Sequence, residues 1–305
     1  LAQLLCTLIQ QSDGRSYKMA VILGGGSASV INETIDINSL ESLITTPDGR
    51  VYIKGGVSST ALSTYPDATA NFKYSGTSFS VASQEVEPRD MTWDGTFFWV
   101  LGGDGRDVGK YNGSGGYQSV AFSVNSQDTV PEGITWDGTY FWVVGRQTDK
   151  VYKYNASGVY QSVNWSTASQ DAEPKGIAWD GTFFWIVGNA SDAVYKYNAS
   201  GVYQNVTFSI SAQDIIPTGI EWDGTHLWVV GQTNDSAYRY TAAGVYTGKS
   251  FSIRNQDGLP SGITLVGTDL WVPGDAGNTV YKYEDQIGIV DQASGQGRQN
   301  YTRIK

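Results

Sequence analysis

Two carboxylates break a pattern that this sequence otherwise repeats, and paired carboxylates are the groups that do acid–base work on glycosidic bonds. Asp90 stands at the position held by Gly133, Gly176, Gly219 and Gly262 in the other copies. Glu221 stands where Thr92, Thr135, Ala178 and Thr264 do. An enzyme built on repeats needs such asymmetry, with single acids from different copies meeting around a central pocket. Two departures are also what drift among duplicated repeats produces, and a fold alone does not carry a function. No acid pair belongs to the repeat consensus, so the chain is expected not to be an enzyme.

A second set of residues repeats faithfully. Gln84 is followed by Glu85, and the same pairing recurs as Gln127-Asp128, Gln170-Asp171, Gln213-Asp214 and Gln256-Asp257. Five polar sites on one face would suit a surface glycan, whose hydroxyls need paired donors and acceptors. In the other reading these side chains close each loop by accepting backbone N–H groups. Identity from copy to copy is what such a device requires. The candidate binding positions are the five glutamines and the four aspartates. No catalytic residue, metal ligand or cofactor is assigned.

Cys6 is the only cysteine and His226 the only histidine. No intrachain disulfide or cysteine-rich metal site can form, and a Ser-His-Asp triad or histidine-built metal site is not expected. His226 occupies the slot of Phe97, Tyr140 and Phe183, which reads as a substituted core or rim residue.

The elements that position these residues follow from the period. The Trp of a Trp-Asp-Gly turn recurs at Trp93, Trp136, Trp179 and Trp222, and a second Trp at Trp99, Trp142, Trp185, Trp228 and Trp271, always 43 residues apart. A fifth copy, from Phe251, has Leu265-Val266-Gly267 in place of the turn. An unbroken period of this length marks a solenoid, propeller or array. One unit contains Pro131–Trp136, an Asp137-Gly138 hairpin turn, Tyr140–Val144, Lys150–Tyr154, the Asn155–Gly158 turn and Val159–Thr167. These runs are short, β-branched or aromatic, and punctuated by turn residues, with no helical periodicity. Four short antiparallel strands per unit make a propeller blade.

The ends decide how the ring closes. The fifth copy has three strands, Ser261–Leu265, Asp269–Pro273 and Thr279–Tyr283, and lacks a fourth. A spare fourth strand, Tyr74–Val81, matches Tyr117–Val124 in register near the other end. The fold class is therefore all-β: a five-bladed β-propeller of 43-residue four-stranded blades over residues 71–284, closed by an N-terminal strand. Closure removes the open sheet edges that would template association. Both faces of each blade are then covered, so the strand tryptophans are read as core. Exposed aromatics are expected in the outer strands, at Tyr117, Tyr160, Tyr203 and Tyr246. Residues 1–70 form an extended N-terminal arm and connector, and 285–305 a solvated C-terminal tail.

Leu1–Gln11 is apolar but too short for a membrane span and lacks signal-peptide flanks. Residues 1–18 read as an extension of the coding region or as a short docking helix. Gly24–Gly26 reads as a linker, since it lacks the lysine of a phosphate-binding loop. Thr46–Gly49 is a turn before a strand at Arg50–Lys54. With 20 basic and 30 acidic residues, the formal charge of −10 is a poor match for nucleic acid or an anionic membrane.

The run Pro47–Gly56, PDGRVYIKGG, followed by Tyr65-Pro66-Asp67-Ala68, resembles the connector of bacteriophage tail-fibre and appendage proteins. The QD-P-GI-WDGT-FWVVG-VYKYN consensus is similar to propeller segments of such virion proteins and to NHL-type propellers. The resemblance implies a non-enzymatic virion appendage. Residues 19–65 would bind other virion proteins, a homo-oligomer would form in the assembly, and the propeller would face outward to a host surface or glycan. The location would be virion or extracellular. A secreted lectin-like propeller is the alternative, and a glycosidase the third reading.

Overall fold

The computed structural model describes residues 18–23, 29–36, 44–45, 51–53, 72–285 and 302–303. The chain divides into two compact units, residues 71–285 and residues 1–70 with 286–305. No helix occurs among the described residues.

In the smaller unit, Lys18–Leu23 pairs antiparallel with Ser29–Asp36. Ile44–Thr45, Val51–Ile53 and Thr302–Arg303 make a second small sheet. The strand expected at Arg50–Lys54 is present as its three central residues. Thr302–Arg303 departs from the solvated-tail expectation, because two residues of that tail supply the third strand. The proposed docking helix, the glycine linker, the turn before Val51 and the rest of the connector lie outside the described residues.

The larger unit is a five-bladed propeller. Its second blade runs Pro131–Trp136, Tyr140–Gly145, Lys150–Asn155 and Tyr160–Ser166, hydrogen-bonded in that order. Blades one, three and four repeat this meander, and the fifth takes its outer strand from Phe72–Ser80. That strand pairs antiparallel with Thr279–Asp285, with Ser80 opposite Thr279 and Tyr74 opposite Tyr283. The register read from the sequence match therefore closes the ring.

Burial grades outward along each sheet. The second strand is buried nearly throughout, whereas the outer strand is mostly exposed. The core lies between blades. Trp99, Leu101 and Val108 of blade one pack with Phe141, Val143 and Tyr154 of blade two. Met91, Phe98 and Val100 meet Phe79, Trp271 and Val280 across the closure. The tryptophans of the second strands are all buried, as expected for a core. Each such side chain contributes on the order of 1.5–3 kcal/mol through burial. The outer-strand tyrosines expected to be exposed are only half so, because Tyr160 packs on Tyr154 with ring centroids 5.8 Å apart and its counterparts do the same.

Two local devices recur, the first in four blades and the second in all five. The Asp of each Trp-Asp-Gly turn accepts the amides of the turn through one oxygen and the indole N–H of the second-strand Trp through the other. The Asp137–Trp142 bond is 2.6 Å long. Each outer strand also carries one left-handed residue at the same place: Gly76, Ser119, Ser162, Asn205 and Gly248. The pairing register slips there, as at a β-bulge. Such a kink in an edge strand works against pairing with another chain.

Candidate functional site

The loops that enter each first strand and those that join second to third strands share one face, and the Gln-Asp pairs lie in them. The Asp128 carboxylate is buried and accepts the amides of Val130 at 2.7 Å, Gln147 at 3.3 Å and Thr148 at 3.0 Å. Asp171, Asp214 and Asp257 make the same latch. A Cβ on Gly145 would fall 2.1 Å from the Asp128 carboxyl carbon, so the close approach requires glycine there. Gln127, Gln170, Gln213 and Gln256 accept the buried hydroxyls of Tyr154, Tyr197, Tyr240 and Tyr283. Gln84 is exposed and accepts from Ser83 instead. The sequence-derived positions are thus placed on one face, but the aspartates' oxygens are engaged by the protein's own loops. This arrangement favours the loop-closing reading.

Blade one departs from the latch. Glu85 replaces the aspartate, and Gly109 replaces the tyrosine found as Tyr152, Tyr195, Tyr238 and Tyr281. Burial, reinforced by the charges of Asp107 and Asp104, raises the Glu85 carboxyl to about 8. The Tyr111 hydroxyl, whose counterparts donate to glutamine, is buried without a partner.

The two pattern-breaking acids lie near the axis. The glycines at their repeat position let the first strands come together: a Cβ on Gly176 would fall 2.8 Å from Gly219 Cα, and one on Gly219 2.7 Å from Gly262 Cα. Asp90 is the fifth member of this ring, fully buried, and accepts Ile134 N–H at 2.9 Å and Ile263 N–H at 3.3 Å. One carboxyl of blade one therefore ties blades two and five. Burial pushes it well above the usual carboxylate range, and the nearby Glu221 charge adds to this. Glu221 accepts the Trp222 amide at 2.9 Å, and burial raises its carboxyl to about 7. The structure thus brings together, from two blades, acids that the sequence could only mark as deviations.

One residue nearer the loop face, the axis opens into a cup of about 120 Å³. Its wall takes the residue after the repeated proline of each blade: Arg89, Glu132, Lys175, Thr218 and Ser261, a different residue in every blade. In the fifth blade this residue precedes the first strand, which is shortened to Thr264–Val266. A second ring follows the second strands as Gly103, Arg146, Asn189, Gln232 and Asp275, again all different, of which the last three line the cup. Sequence reasoning missed these residues because it looked for one blade differing from four. The available signal was a position differing in all five.

The cup is electrostatically organised. Glu132 is buried, and one of its oxygens receives both Lys175 Nζ and Arg146 Nε at 2.9 Å. Arg89 pairs with Glu87 at 2.8 Å. Burial raises the Asp275 carboxyl above its ordinary value, against the opposing pull of Arg89. Asn189 Nδ2 donates to Glu173 at 2.9 Å, while its Oδ1 is buried without a partner. Thr218 Oγ1 and Gln232 Nε2 both donate to the Pro260 carbonyl, at 2.9 and 3.2 Å. Among the described residues, no group of three or more His, Cys, Asp or Glu could hold a metal ion.

No protein-family model and no curated protein matches this chain. Among solved structures, a glutaminyl cyclase from Myxococcus xanthus aligns with TM-score 0.53 and 7% identity, covering 68% of this chain and 93% of that one. A streptogramin B lyase aligns with TM-score 0.46 and 16% identity over 73% of this chain and 90% of that one. A chain of a nidogen/laminin complex aligns with TM-score 0.44 and 15% identity over 64% and 74%. The expectation that the chain is not an enzyme is corrected here: the fold it shares with the cyclase is carried by an enzyme, and absence of an acid pair from the repeat consensus does not bear on acids supplied by single blades. At this identity the shared property is the β-propeller fold.

Proposed function

We propose that the protein is a recognition propeller displayed on a virus particle, binding a ligand of the host surface at the axial cup. The observation that carries this reading is the pair of all-different rings around one cup, in blades whose frame otherwise repeats. A structural device recurs from blade to blade, whereas a site for one asymmetric ligand must differ around the axis. The likeness of residues 47–68 to phage connectors supports attachment to other virion proteins through residues 19–65, in a homo-oligomeric appendage outside the cell.

Binding of the full chain to an array of bacterial surface glycans tests the reading. Lys175→Ala, which removes a cup cation, is expected to weaken binding about ten-fold or more, or roughly 1.4 kcal/mol. Gln127→Ala, on the repeated loop array, is expected to leave it within two-fold or so. The reverse outcome would move the site to the glutamine array.

A catalytic reading is favoured by one observation. Asp275, with a raised proton affinity, and Glu132, ion-paired with two cations, share the cup wall. An acid beside a carboxylate is the arrangement used in glycoside hydrolysis. Mass spectrometry of the bound glycans would reveal cleavage.

A further inference from the structure

Resting on the axial cup as the binding site, we infer that its ligand is an uncharged sugar ring at the end of a glycan. Lys175 and Arg146 are both held by Glu132, and Arg89 by Glu87. An anionic ligand would have to draw Lys175 away from a buried carboxylate, leaving that charge without one of its two partners. A cationic ligand would compete with Lys175 and Arg146 for Glu132, and at Asp275 it would meet the opposing charge of Arg89. A neutral ligand enters without breaking either arrangement.

Three polar side chains of the wall already donate a hydrogen bond within the protein: Asn189 to Glu173, and Thr218 and Gln232 to the Pro260 carbonyl. The Oδ1 of Asn189 is left as a buried acceptor with no partner. A buried acceptor is costly until a donor reaches it. The wall therefore holds an unmet buried acceptor, which a hydroxyl group of a ligand fills without bringing charge.

About 120 Å³ admits a single ring, not a length of chain. Ile216 lines one side and is 43% exposed. That apolar edge suits the C–H face of a pyranose, while the opposite wall meets its hydroxyls.

Titration of the full chain with methyl glycosides of glucose, galactose and mannose, and with glucuronate and glucosamine, followed by ligand-observed NMR, tests the inference. At least one neutral glycoside is expected to bind about ten-fold tighter than either charged sugar. Asn189→Ala, checked for folding by its melting temperature, is expected to weaken that binding about five-fold or more. Asn189→Asp, which keeps an acceptor, is expected to retain more of it than the alanine variant. Binding of a charged sugar as tight as the neutral ones, or no binding of any neutral glycoside, overturns the inference. The axial-cup reading falls separately, if array binding survives Lys175→Ala.

Discussion

The indole N–H of Trp271 is buried without a partner because Val266 stands where an aspartate accepts it in the other four blades. Trp99, Trp142, Trp185 and Trp228 donate to Asp94, Asp137, Asp180 and Asp223 at 2.6–3.0 Å. Loss of the Trp-Asp-Gly turn from the fifth blade thus leaves an unpaired donor in the core. Val266→Asp is expected to restore the bond and stabilise the propeller by about 1 kcal/mol. For a unit of this size that is a rise of about 2–4 °C in melting temperature. Asp137→Ala should cost about 1–3 kcal/mol by creating the same orphan in blade two. An unchanged melting temperature in both variants would contradict this account.

Ring closure rests on one strand far from its neighbours in sequence. Phe72 is buried edge-on against Trp228, with centroids 5.2 Å apart, and beside Phe251 of blade four. Phe79 and Val81 join the core shared with blade one. Deleting residues 71–81 should therefore open two packing surfaces and expose the edge of Thr279–Asp285. Aggregation or failure to fold is expected in size-exclusion chromatography. A monomeric product with the parental melting temperature would be incompatible with closure by this strand.

Glu85 gives stability a dependence on pH. Its carboxyl is raised from 4.5 to about 8 in the folded chain, chiefly by burial, so folding favours the protonated form. The contribution is complete below the unfolded value and is lost as pH rises toward the folded one. Glu221, raised to about 7, acts in the same direction. Stability by urea titration should fall between about pH 5 and about pH 9, by on the order of 1–4 kcal/mol. Glu85→Gln should flatten that fall. A parental profile in this variant would remove Glu85 from the explanation.

The sequence by itself determined the blade. Strand lengths, hairpin turns and the alternation of buried and exposed residues are local properties, and a strict 43-residue step places them in every copy. Even closure was legible, because Tyr74–Val81 carries the same side-chain pattern as Tyr117–Val124 and only one blade lacked that strand. Tertiary structure decided what meets at the axis. Arg89, Glu132, Lys175, Thr218 and Ser261 are 43 residues apart along the chain and become neighbours only when the ring closes. The pairing of Lys175 with Glu132 and the tie from Asp90 to Ile134 and Ile263 arise in the same way. The sequence therefore reads the repeated latch clearly, since each latch is built within one blade. It marks the cup only as positions that differ in all five copies, since no single blade contains more than a fifth of each ring.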